Sequence, residues 1–277
     1  LTAAPLARTL DPIHLARHLW RHGDLITQFT RREVEGRYRG SFLGVLWSFV
    51  HPLVLLMTYT FVFGMVFGAR WPQGQRGNLA EFSLVLFCGL IAYNLFSECV
   101  IRAPGLVVAN PSYVRKVVFP LEILPVTVVG SALFHGLVSL SALLLYQLVL
   151  TRHLNATLLL LPLVAVPLVF LSLGVSWFLS GLGVYVRDVG YMVSLLLQVL
   201  LFATPVFYPM ELVGPRLRVL FEFNPLAFVV ENVRRVVLWG KPPDWTGLAL
   251  WSAVCAIVMV LGYAWFMKTK RGFADVL

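Results

Sequence analysis

The 277 residues are 59% hydrophobic and 13% charged, with a mean hydropathy of +0.82 and a formal net charge of +9. Soluble domains run at roughly 45–50% apolar and about 25% charged, so this composition excludes an ordinary water-soluble fold and points to the bilayer as solvent. The basic excess sits beside apolar runs, which favours anionic lipid headgroups over nucleic acid as its partner.

In chain order, the first element is an amphipathic helix over residues 11–30. Asp11 is a candidate N-cap and Pro12 a first helical residue. Leu15, Ala16, Leu19, Ile26 and Phe29 share one face, with Arg17, Arg21, Asp24 and Gln28 opposite. Such a helix suits the membrane surface, and Gly23 is a point where it can bend. Its polar stretch is too long for a cleaved leader. A knot of arginines (Arg31, Arg32, Arg37, Arg39) follows and then stops abruptly at an apolar run.

Six spans are expected on apolar length and absence of charge: 42–69, 82–101, 119–150, 157–184, 191–207 and 247–267. The segments that would face the cytoplasm if the N-terminus is inside hold 14 of the 22 Lys and Arg, which predicts both termini inside. Residues 208–246 alternate short apolar pieces with prolines and charges. They fit either two short helices that dip in and return, broken at Pro209, Pro215 and Pro225, or a plain external loop. Within the spans, His51 precedes Pro52, where a local kink is expected. Glu98 and His135 are ionisable groups at membrane depth, read either as functional or as interhelical packing bonds.

The chemistry-bearing patterns are few. His14, His18 and His22 recur every four residues, but no third ligand or HExxH completes a metal site. Cys88, Cys99 and Cys255 lie in apolar runs without CxxC spacing and read as buried small hydrophobes. Gly240-Lys241 is followed by Pro242, so no phosphate-binding loop is present and any ATP must bind another chain. Arg187 and Asp188 in "YVRDVGY" are placed to pair with each other or with a partner. Mid-span aromatics such as Tyr59 suit either packing or a carbohydrate path, since sugar CH groups stack on aromatic faces.

Five segments, in order, resemble the ABC-2 type permeases that export polysaccharides: "RREVEGRYRGSFLGVLWSFVHPLVLLMTYTFVFGMVFG", "VRKVVFPLEILPV", "YVRDVGYMVSLLLQVLLFATPVFYP", "FNPLAFVVENVRRVVLWG" and "KRGFADVL". The chain looks most like the O-antigen type; teichoic-acid exporters share most of the pattern and capsule exporters look more distant. His51 stands where Asn is more usual before the proline.

The resemblance implies an all-α integral membrane fold, one transmembrane domain over 1–277. It has an interfacial region at 11–39, six spans over 42–267 and a re-entrant outer segment at 208–246. It implies a homodimer in the bacterial inner membrane, docked to two ATP-binding ABC subunits that hold ATP and Mg. This chain itself carries no cofactor, metal or catalytic residue. The cargo would be an undecaprenyl-diphosphate-linked polysaccharide. Asn110, Pro111, Tyr113, Arg115 and Lys116, with Arg187 and Asp188 in the other inner loop, would couple to the ATPase. Trp47, Tyr59, Phe63, Phe202, Phe207 and Tyr208 would line the path. Arg31, Arg32, Arg37 and Arg39 would attract the lipid diphosphate, or simply anchor the inner boundary. A membrane enzyme acting on lipid-linked glycans would need facing carboxylates or a metal motif, which the sequence lacks. An ATP-independent transporter should show two matching halves with paired intramembrane charges, and none appear.

Overall fold

The computed structural model describes residues 11–40, 42, 44–68, 79–114 and 119–277, and among these it is helical with no strand. The amphipathic segment forms two helices, α1 (Pro12–Arg21) and α2 (Gly23–Tyr38), broken at His22. Asp11 caps α1 by accepting the Ile13 N–H at 2.9 Å, with Pro12 in the first turn. The two do not form one surface rod: α2 packs along the third long helix, where Thr30 fills the space beside Gly130.

Five helical stretches among the described residues are long and apolar enough to cross a membrane: Trp47–Val66, Leu79–Gly105, Ile123–Thr151, Ala156–Tyr185 and Trp245–Val276. The first comprises α3 (Trp47–Tyr59), with Pro52 inside it, and a π-helical continuation over Thr60–Val66. The next three are built on α4 (Leu79–Arg102), α5 (Ile123–Thr151) and α6 (Leu161–Tyr185). α4 is the centre of the bundle and is buried along most of its length.

The expected span 191–207 is shorter than its apolar run. α7 covers Val189–Phe202, 14 residues, or about 21 Å of helix against a hydrocarbon core of about 30 Å. Pro205 ends it, because the residue before a proline is pushed out of the helical region and the ring offers no N–H. The chain then turns and forms α8 (Pro215–Glu222) and α9 (Pro225–Val237) before α10 (Trp245–Thr269).

A helix that stops short leaves carbonyls that lipid cannot satisfy. Here α9 and its cap supply the donors. Asn224 Nδ2 donates to Ala203 O at 3.0 Å and to Thr204 Oγ1 at 3.1 Å. Arg234, fully buried, donates to the carbonyls of Pro205 (2.8 Å), Val206 (3.0 Å) and Val85 (3.2 Å). Gly89 makes room for this guanidinium: a Cβ there would lie 2.8 Å from Arg234 Nη2.

α6 and α10 make the closest helix pair. A Cβ on Gly174 would lie 2.6 Å from the Val258 carbonyl oxygen, and one on Gly262 would strike the Gly174 carbonyl. Small residues at such crossings let backbones approach, which drives helix association where no hydrophobic effect operates.

Glu122, just before α5, gathers the two chain ends. His18 Nε2 donates to Glu122 Oε1 at 2.8 Å, Lys270 Nζ to Oε2 at 2.6 Å, and Trp177 Nε1 to the Glu122 carbonyl at 2.9 Å. α1, α5, α6 and the C-terminal end thus meet at one carboxylate, so both described ends lie at the same end of the bundle. Burial opposes ionisation of Glu122, but the His18 hydrogen bond and the charge and hydrogen bond of Lys270 outweigh it and pull its pKa down to about 2.

Candidate functional site

Two clefts open at the end of the bundle that carries α1 and α2. The larger, about 750 Å³, is a groove flanked by α3 and α7, with α4 and α5 as its floor. Its polar lining comes from all four helices and from the end of α2: Arg37 and Tyr38, Trp47 and His51, Asn94, Ser97, Glu98 and Arg102, His135 and Ser139, Ser194 and Gln198. Apolar side chains, among them Ile91, Leu95 and Leu201, fill the spaces between them. The smaller cleft, about 530 Å³, lies between α2 and the segment after α4, and is lined by Arg32, Glu33, Arg37, Arg102, Asn110 and Tyr113 among others.

The two intramembrane ionisable residues meet each other and a residue of the arginine knot. Arg37 Nη1 lies 2.6 Å from Glu98 Oε1 and 2.8 Å from His135 Nδ1, and that nitrogen is 3.0 Å from the same oxygen. His135 Nε2 is buried without a hydrogen-bond partner. Arg102 binds Glu33 and stands 3.8 Å from Glu98. Only α2 can bring Arg37 here, because it climbs along α5 instead of remaining at the surface.

The other arginines divide. Arg31 pairs with Glu35 one turn on, exposed. Arg32 donates to the Tyr113 hydroxyl at 3.2 Å. Arg39 is exposed just past α2.

Of the residues assigned to ATPase coupling, Arg115 and Lys116 lie outside the described residues. Pro111 opens a single helical turn, Pro111–Val114, and is exposed. Asn110 Nδ2 donates to Leu106 O at 2.9 Å. Tyr113 does not project freely. It stacks on Phe119 with ring centroids 4.5 Å apart and meets the edge of Phe29 of α2 at 5.7 Å. Arg187 and Asp188 are both exposed, and no ion pair joins them.

The aromatic residues assigned to the path fall in two places. Trp47 is exposed and lines the groove near the arginines. The others cluster where α3 passes into its π-helical continuation and around the end of α7. Phe207 stacks on Phe63 at 4.6 Å, meets Tyr59 edge-on at 5.1 Å and lies 5.6 Å from Phe202. Tyr208 donates to the Phe202 carbonyl and lies edge-on to Phe221 at 6.0 Å. Phe207 is 3% exposed and Phe202 59%, so the first holds the cluster together while the second presents a face outward.

Three residues that matter here escaped the sequence reading. Arg102 had a signal, four residues after Glu98 on one helix face. Glu122 had one too, an acid inside an expected span. Arg234 looked like one more basic residue in a mixed segment. Among the described residues no cluster of His, Cys, Asp and Glu is arranged to hold a metal. Of the three histidines, His18 serves Glu122, His22 Nδ1 donates to the His18 carbonyl with the two rings 4.6 Å apart, and His14 is exposed.

The chain matches the sequence profile of ABC-2 type transporters over residues 24–238. The chain belongs to the ABC-2 type transporter family. Relatives of this ABC-2 chain include the O-antigen export system permease protein RfbA of Myxococcus xanthus, 27% identical over 265 residues, covering 95% of this chain and 99% of the relative. An RfbA of Klebsiella pneumoniae is 27% identical over 256 residues, 92% of this chain and 95% of its own. The polysialic acid transport protein KpsM of Escherichia coli is 24% identical over 245 residues, 87% of this chain and 91% of its own. The ABC-2 match begins within α2 and ends just after α9, so it includes both clefts and the turn that follows α7.

Proposed function

We propose that this ABC-2 chain is the transmembrane subunit of an ATP-driven exporter that carries an undecaprenyl-diphosphate-linked polysaccharide of the O-antigen type across the bacterial inner membrane. The groove between α3 and α7 carries the reading. Hydroxyls, amides and Trp47 at membrane depth suit a hydrated sugar chain and are unfavourable against lipid tails. The similarity to O-antigen export permeases over nearly the whole chain supports the cargo class.

In this reading the chain is a homodimer, with α3 and α7 of the two copies facing each other so that the open grooves close into one path. Phe202, Tyr59 and Phe63 offer stacking faces along it, while Phe207 and Tyr208 brace them. The turn at Pro111–Val114, with Arg115 and Lys116, and the loop at Arg187 and Asp188 receive two ATP-binding subunits on the cytoplasmic side, where both termini lie. ATP and Mg belong to those subunits. Residues 208–246 form the re-entrant outer cap. The KpsM relatives favour a second reading, a capsule-type polymer.

Reconstitution in proteoliposomes with the ATP-binding subunit that co-purifies tests the proposal. ATP-dependent movement of a diphosphate-linked O-antigen glycan is expected. Preference for a capsule-type glycan would select the second reading, and movement without ATP would defeat both.

A further inference from the structure

Arg37 and Arg102 line both clefts and form the partition between them. Each is held by a carboxylate: Arg37 by Glu98 on the groove side, Arg102 by Glu33 on the outer side. In the smaller cleft Arg32 adds a third guanidinium, and among the described residues Glu33 is its single acidic lining residue. Asn110 and the Tyr113 hydroxyl contribute neutral polar groups, and Gly36 leaves open space where a side chain would stand.

Guanidinium groups bind phosphate oxygens with the same planar fork that they offer to carboxylates. A diphosphate brings more charge and more acceptor oxygens than either glutamate, so it competes for both arginines at once. We propose that this cleft receives the diphosphate of a lipid-linked substrate, which takes Arg102 and Arg37 from Glu33 and Glu98 and so opens the partition into the membrane-depth groove. The inference rests on the exporter reading and deepens it. Arg31 and Arg39, outside the cleft, are not needed.

The test uses the full chain in phosphatidylcholine nanodiscs, titrated with polyprenyl diphosphate, polyprenyl monophosphate and inorganic pyrophosphate, and repeated with phosphatidylglycerol added. Polyprenyl diphosphate should bind best, and pyrophosphate should compete with it. Arg102→Gln should weaken binding about tenfold, the loss of one charge-assisted contact. Glu33→Gln should strengthen it severalfold by removing the internal competitor, an effect that a purely structural ion pair would not give. Should Arg102→Gln fail to fold, Arg32→Gln, which gives up a contact with the Tyr113 hydroxyl, carries the same expectation of weaker binding. Ser139→Cys in the groove reports the opening. Cys88, Cys99 and Cys255 are buried, so added polyprenyl diphosphate should speed labelling of this one site by a water-soluble maleimide.

Equal competition by phosphatidylglycerol would assign the cleft to bulk headgroups and overturn the proposal. Affinity indifferent to both Arg102→Gln and Glu33→Gln would overturn it as well. Wild-type protein that translocates glycan with ATP but shows that indifference sinks this inference alone. Wild-type protein that never translocates sinks the exporter reading.

Discussion

Glu122 shows how one buried side chain can set the acid tolerance of the whole chain. Its pKa falls from the ordinary 4.5 to about 2 in the fold. A depressed carboxylate contributes stability that is fully present above pH 4.5 and is lost as pH drops toward 2. At neutral pH the contribution is on the order of 3 kcal/mol. Glu122→Gln should therefore lower the thermal midpoint in detergent at pH 7 and flatten its fall between pH 5 and pH 3, read by a thermal unfolding series. An unchanged pH profile would place the acid-sensitive group elsewhere. Tyr113 makes a second residue-scale case. Because it packs on Phe29 and Phe119 within the chain, Tyr113→Ala should loosen the Pro111–Val114 turn from α2 and weaken capture of the ATP-binding subunit. Tyr113→Phe should keep capture nearly intact, since it retains the ring that packs on Phe29 and Phe119 and gives up the hydroxyl that accepts from Arg32. Pull-down from detergent extract compares the two, and equal losses would make the hydroxyl, not the ring, the group that matters.

At the scale of elements, α7 is the departure from expectation. Hydropathy extends its run to residue 207, yet helix ends at Phe202 because the chain must turn at Pro205 and hand its carbonyls to Arg234 and Asn224. The turn tucks Phe207 under α3, leaving Phe202 outward. Phe207→Ala should cost about 3–5 kcal/mol through loss of a buried ring, seen as a lower thermal midpoint and reduced yield. Phe202→Ala should leave stability nearly unchanged and reduce polymer export. Normal export by a folded Phe202→Ala variant would return that ring to the lipid face. The helices α1 to α6 and α10 were legible in the sequence, because an apolar run or an amphipathic period is a local property. The break at His22 was half legible through Gly23. That α2 would climb along α5 was not, since its sequence is equally suited to lying flat.

For the molecule as a whole, the two described chain ends share one end of the bundle, joined through His18, Glu122 and Lys270. We propose from the basic excess that this end faces the cytoplasm. Single cysteines at His14 and Asp275, both exposed, should resist a membrane-impermeant thiol reagent added to intact cells, whereas one at Leu154, in the turn at the opposite end, should react. Strong labelling at position 14 or 275 would reverse the orientation. The charge count also becomes clearer in the fold. Arg234 is wholly buried and bonded to carbonyls, so one of the five basic residues in 208–246 is not a surface charge and does not count against the inner bias.

The sequence by itself determined a membrane chain, its long apolar spans, the knot of arginines at Arg31–Arg39, and a resemblance carried by five ordered motifs. Each of these is written in continuous stretches of sequence, where composition and order suffice. Tertiary structure alone decided the pairings: Arg37 with Glu98 across 61 residues, Lys270 with Glu122 across 148, and Arg234 with the end of α7. A charged residue at membrane depth demands a partner, but hydropathy does not name it. Which helices lie side by side decides that, and close approach at Gly174 and Gly262, with side chains satisfying the stranded carbonyls, settles which helices those are.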